Sequence, residues 1–161
     1  MNTTQTLAQM QQLRLFGMYQ SYHAQLELPI DQQLEGHDLV AQLLQSEQLN
    51  RSNEKTAYYL KLAKLRLPAT MDQIECTASR NLTKQQLAIL SEGRYLEQGE
   101  NILITGSTGC GKSYLACALG HQACLQGYKT TYLNMNRLIE KVMLSKLDGS
   151  YIKLLNHLER Q

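Results

Sequence analysis

Residues 106–113 read GSTGCGKS and satisfy the pattern G-x-x-x-x-G-K-[ST] at every specified position. The types at these positions suit one chemistry, the cradling of a chain of phosphates. Gly106, Gly109 and Gly111 let the backbone turn through φ > 0 and approach an anion where a side chain would collide. Ser107, Thr108 and Cys110 occupy free positions and contribute main-chain amides. Lys112 is placed to reach the β- and γ-phosphates as a point charge, and the Ser113 hydroxyl to ligate Mg²⁺. The expected ligand is therefore ATP or a similar nucleotide with magnesium. The competing reading is a glycine-rich turn that binds nothing.

Such a loop works only between a strand that delivers it and a helix whose first-turn amides face the anion. The flanks agree with that requirement. Ile102, Leu103 and Ile104 form an apolar run ahead of the loop, and Tyr114 to Leu119 open a helical pattern behind it that Gly127 is placed to end. Lys129 to Asn134, rich in Thr, Tyr and Leu, reads as a second strand. Two further helices follow, one carrying Leu138, Ile139, Val142, Met143 and Leu147, the other Tyr151, Leu154, Leu155 and Leu158. Strands alternating with helices predict an α/β fold with a parallel sheet.

Ahead of the loop the pattern is helical. Apolar residues recur at three and four between Met1 and Leu28, where Pro29 ends the run. A longer pattern runs from His37 to about Leu65, before Pro68. Thr83 with Gln86 is a capping-box signature for a short helix closed by Gly93. The expected organisation is a helical module over 1–68, a linker and short helix over 69–98, and a nucleotide-binding segment over 99–161.

Charge is distributed unevenly over that module. Up to Asn50 the basic Arg14 faces Glu27, Asp31, Glu35, Asp38 and Glu47. From there the sign reverses: Arg51, Lys55, Lys61, Lys64 and Arg66 oppose Glu54, with Tyr58 and Tyr59 between them. A basic stripe with interleaved aromatics suits contact with a nucleic-acid backbone. A solvated helix face has the same composition. Cys76, Cys110, Cys117 and Cys124 show no metal-ligand spacing, and Cys117 and Cys124 share a helix face as small buried side chains would. No apolar run approaches the ~20 residues that span a bilayer, so a cytoplasmic protein without a membrane partner is expected.

A phosphate-binding sheet of this type usually holds a second acidic motif, an apolar strand ending in Asp. The acids after the loop, Glu140, Asp148 and Glu159, end no such strand. The expectation is a front portion of a longer protein, with no catalytic residue in this stretch, slow hydrolysis at best and marginal stability.

The string NILITGSTGCGKSYLACALG from Asn101, the Gly127 helix end, the RLPA segment from Arg66 to Ala69 and a helical module of this size together resemble the IstB-like ATPases. These are helper proteins of bacterial insertion sequences, within the AAA+ superfamily and similar to DnaC helicase loaders and, more distantly, to the DnaA initiator. The resemblance implies a protein that binds ATP with Mg²⁺, forms homo-oligomers in its full-length parent, and acts on duplex DNA with a transposase. It gives the basic residues weight as DNA contacts. The alternative within the same superfamily is a loader whose N-terminal module grips a replicative helicase. A metabolic P-loop kinase fits the helical module poorly, and a decayed remnant without activity is the non-enzymatic reading.

Overall fold

In a computed structural model, residues 2–34, 36–77 and 80–159 are described. Met1 at the start of the first helical pattern, the Glu35 charge, Ala78 and Ser79 of the linker, and Arg160 and Gln161 lie outside them. Two compact units result, Met1–Ala57 and Tyr58–Gln161, with the division falling inside one long helix.

The first unit contains α1 (Thr3–Gln12), α2 (Phe16–Leu26) and the greater part of α3 (Gly36–Ala63). The single helix expected up to Leu28 is two helices, because the chain turns at Arg14, which adopts φ 57°. Arg14 N–H donates to Gln11 O and Leu15 N–H to Met10 O at 2.8 Å, the paired bonds that close a helix around a left-handed residue. This position normally favours glycine, so periodicity alone runs straight through it. The turn lets α1 fold back onto α2. Pro29 and a 3₁₀ turn, Ile30–Gln32, then reverse the chain into α3.

Gly17 meets Glu47, and Gln25 Nε2 donates to Gln42 Oε1 at 2.9 Å, so α2 and α3 run antiparallel. Their closest approach explains two residue choices. A Cβ on Gly17 would overlap Ser46 O and lie 2.7 Å from Glu47 Cα. Glu47, only 7% exposed, turns its carboxylate onto the start of α2. Oε2 accepts from the amides of Gly17 at 2.9 Å and Met18 at 3.2 Å, while Oε1 accepts from Arg51 Nε at 2.7 Å. A carboxylate from another helix thus caps α2, whose own N-cap residue, Leu15, makes no side-chain cap.

The second unit is built around α6 (Lys112–Leu125), which buries Cys117, Ala118, Leu119, Ala123 and Cys124. Ala69 and Met71 pack against this face, with Leu87, Leu90, Ile104 and Tyr132 at its margin. The capping box forms as expected: α4 (Lys84–Glu92) starts with Thr83 Oγ1 accepting from Gln86 N–H while the Gln86 side chain accepts from Thr83 N–H. Gly93, at φ 76°, ends α4 and leads into α5 (Arg94–Glu97). Gln126 Nε2 then donates to the carbonyls of Ser91 and Glu92, securing the end of α4 to α6. Gly127, at φ 87°, closes α6 with Tyr128 N–H donating to Ala123 O. Asn134 caps α7 (Met135–Leu147), and Asp148 Oδ1, accepting from Ser150 N–H and Oγ, shapes the turn into α8 (Tyr151–Glu159).

The expected strands do not form among the described residues. Neither Ile102–Ile104 nor Lys129–Asn134 enters a ladder, and all regular structure is helical. A strand exists only when a neighbour takes its amides and carbonyls. Here Tyr132 N–H donates instead to Ala63 O at 2.8 Å, at the end of α3. Leu103 is 89% exposed, so the apolar run ahead of the loop is uncovered on one side.

Two consequences can be measured. Gly17→Ala should lower the stability of the first unit by about 2 kcal/mol or more through overpacking against the α3 backbone, read from the denaturant midpoint of the helical signal. The second concerns Glu47: burial pushes its carboxyl up, but the Arg51 hydrogen bond and the amides of Met18 and Gly17 outweigh burial and hold it below the ordinary value. A depressed folded-state pKa gives stability that is present above the unfolded value, about 4.3, and is lost as pH falls through the folded one. Glu47→Gln should therefore flatten the loss of helical stability below about pH 4.3.

Candidate phosphate-binding site

Gly106 to Gly111 form the turn between Ile104 and α6, and Lys112 and Ser113 are the first two residues of that helix. Gly106, Gly109 and Gly111 adopt φ of 150°, 84° and 91°, backbone angles that L side chains rarely take. At Gly106 a Cβ would also sit 2.9 Å from Cys110 Sγ. Gly111 is the N-cap of α6 and offers no side chain to its first turn. The amides of Lys112, Ser113 and Tyr114 precede the first i→i−4 bond, which Leu115 N–H makes to Gly111 O at 3.0 Å. A helix start that exposes three amides and the positive end of its dipole, without a capping oxygen, is a place for an anion.

Lys112 closes back over the same turn. Its Nζ donates to Ser107 O at 2.6 Å and Gly106 O at 2.9 Å, with Cys110 Sγ at 3.8 Å. The ammonium thus stands over the loop and binds weak neutral acceptors, which phosphate oxygens would outcompete. Ser113, next along the helix, is exposed.

A cavity of about 490 Å³ extends from this turn. Thr105, Cys110, Gly111 and Lys112 line it from the loop side of the sequence, together with a second group, Gln73, Ile74, Glu75, Arg80 and Leu82. No motif in the sequence marks the second group. The partial clue is the apolar pair Met71 and Ile74 in a weakly patterned stretch. Met71 is in fact buried against α6, which carries Gln73 to the loop. There Tyr114 Oη donates to Gln73 Oε1 at 2.7 Å.

The basic residues are not gathered into this site. Arg51 and Lys55 belong to the first unit, Lys61, Lys64 and Arg66 to the second. Arg51 is engaged by Glu47. Lys61, Lys64 and Arg66 are exposed, and Lys64, at φ 48°, leaves the helix, so helical periodicity does not continue to Arg66. Among the described residues no cluster of His, Cys, Asp and Glu could hold a metal, and no helix is long and apolar enough to cross a membrane.

Comparison with known proteins agrees with the motif and extends beyond it. The chain is 37% identical over 161 residues to a Pseudomonas fluorescens protein of insertion sequence IS1162, named for ATP binding, covering 99% of this chain and 70% of that relative. It is 35% identical over 145 residues to the Sinorhizobium fredii protein y4uH, covering 90% and 58%, which carries a similar name. A Pseudomonas aeruginosa protein of insertion sequence IS21, also named for ATP binding, is 29% identical over 150 residues, covering 92% and 54%. The chain thus spans between about half and 70% of the length of these relatives. Residues 8–161 match the IstB-like ATP binding protein family, and with most of the helical module, the glycine turn and α6 inside that match, the chain belongs to this family.

Proposed function

We propose that this chain binds ATP with Mg²⁺ at the 106–113 turn and serves the transposition of an insertion sequence. The observation that carries the first part is the uncapped start of α6, with Gly111 at φ 91° and Lys112 Nζ held over Ser107 O. Binding would move the ammonium from the loop carbonyls to phosphate oxygens, while the amides of Gly109 to Ser113 supply neutral donors. Mg²⁺ fits the donor set as a companion of the nucleotide: Ser113 Oγ is a single hard oxygen, and this ion takes most of its shell from phosphates and water.

Transposition is supported by the relatives' names, which attach them to insertion sequences. On this reading the full-length protein acts on duplex DNA together with a transposase and as a homo-oligomer, with Lys61, Lys64 and Arg66 on the DNA side and Arg51 and Lys55 as further contacts. Those names favour transposition over helicase loading. The sheet belongs to the same reading. Ile102–Ile104 and Lys129–Asn134 would become strands when paired, consistent with an apolar Leu103 that is 89% exposed.

Two tests address the two parts. Lys112→Ala should weaken Mg·ATP binding by at least about tenfold, since hydrogen bonds to charged groups contribute about 1.5–3 kcal/mol. Undiminished affinity would remove the turn as the site. Replacing Lys61 and Lys64 by Glu should weaken duplex DNA binding and make its logarithmic salt dependence shallower by about 2, roughly one unit for each phosphate that is no longer neutralised. An unchanged salt slope would remove these lysines from the interface.

A further inference from the structure

Two basic residues line the cavity beside the phosphate turn, Lys112 from the motif and Arg80 from the chain ahead of α4. Glu75 is the acidic residue among those that line it, so the charge there is net positive. Among the described residues Arg80 forms no ion pair, whereas Arg51 and Arg94 reach carboxylates at 2.7 and 3.1 Å. Its Nη1 donates instead to Glu75 O at 3.3 Å, a long bond to a neutral carbonyl. Lys112 Nζ is likewise turned onto carbonyls, those of Ser107 and Gly106. Two cations on one cavity, each bonded to neutral oxygens, suit an anion that carries several charges. The chain that bears Arg80 is also anchored on either side of it. Met71 is buried against α6, and the Thr83–Gln86 capping box fixes the start of α4. Asn81, at φ 50°, makes the turn between Arg80 and that cap.

We propose that Arg80 is a second cation for the phosphate chain, supplied from outside the 106–113 motif. The inference rests on the nucleotide reading above and adds a binding residue to it. A guanidinium carries five N–H donors in a planar fork, and its bonds to phosphate oxygens are charge-assisted and often bidentate. Lys112 contributes a point charge, so the two residues do different work: one attracts the phosphates and the other also directs them. The bond given up on binding is the long one to Glu75 O, and that carbonyl can be hydrated in its place. The negative charge of Glu75 on the same cavity is offset by Arg80, which leaves the charge of Lys112 to the ligand. A phosphate chain held by both cations would join the segment ahead of α4 to the first turn of α6.

The experiment is isothermal titration of the full chain with Mg·ATP and Mg·tripolyphosphate, on the natural sequence, Arg80→Ala and Arg80→Lys. Arg80 is exposed, so both variants should fold, and far-ultraviolet circular dichroism checks that they keep the helical content of the natural chain. Arg80→Ala should weaken both ligands by about tenfold, the loss expected when hydrogen bonds to a charged group are removed. The factor should be the same for the two, because phosphates are what they share. Arg80→Lys should bind both more tightly than Arg80→Ala and less tightly than the natural chain, since it restores the charge without the fork. Unchanged affinity in Arg80→Ala, a loss confined to Mg·ATP, which would move Arg80 to the base or ribose, or a natural chain that binds Mg·ATP but not tripolyphosphate would each overturn the assignment while leaving the nucleotide reading intact. Failure of both ligands to bind the natural chain would overturn the nucleotide reading, and this inference with it.

Discussion

The first turn of α6 holds three backbone amides that no side chain of its own caps. Gly111, in a left-handed conformation, stands where Ser, Asp or Asn would ordinarily accept from them. A glycine at this position in place of a capping side chain costs roughly a few tenths of a kcal/mol. The opposite face of the same helix is fully buried at Cys117, Ala118 and Cys124, so the helix is held by packing and does not need the cap. The second unit is arranged around that division: one side of α6 supplies the core and its exposed end supplies donors for an anion. The small size of Ala118 and Cys117 lets Ala69 and Met71 approach closely, and this brings Gln73 beside Tyr114.

The first unit uses the opposite solution for the same problem. The start of α2 also lacks its own cap, and Glu47 reaches across from α3 to provide one. A buried carboxylate is tolerated because three donors and the dipole of α2 compensate its lost hydration. Gly17 is what allows the approach, since its missing Cβ leaves room for the α3 backbone. One helix start is filled from within the fold, and the other faces the cavity.

What is legible in the sequence is local. The G-x-x-x-x-G-K-[ST] turn, the Thr83–Gln86 capping box, the Gly93 and Gly127 helix ends and the burial of Cys117 and Cys124 all follow from residues within a few positions of one another. The break at Arg14 escapes because a residue with a Cβ occupies a turn that glycine usually marks. The two expected strands rest on apolar, β-branched runs, but a strand depends on a neighbour that composition cannot supply. Gln73, Leu82 and the capping role of Glu47 are invisible for a related reason. Glu47 and Gln73 bond to residues thirty or more positions away, Leu82 shares a cavity with the loop, and no short-range pattern encodes such distances.

The most direct test of the central claim follows the backbone amides of the 106–113 turn by nuclear magnetic resonance while Mg·ATP is added to the full chain. The account predicts that the largest shifts fall on Gly109, Gly111, Lys112 and Ser113 and are lost in the Lys112→Ala chain. Saturable binding that leaves those amides unmoved, with shifts centred elsewhere, would contradict it.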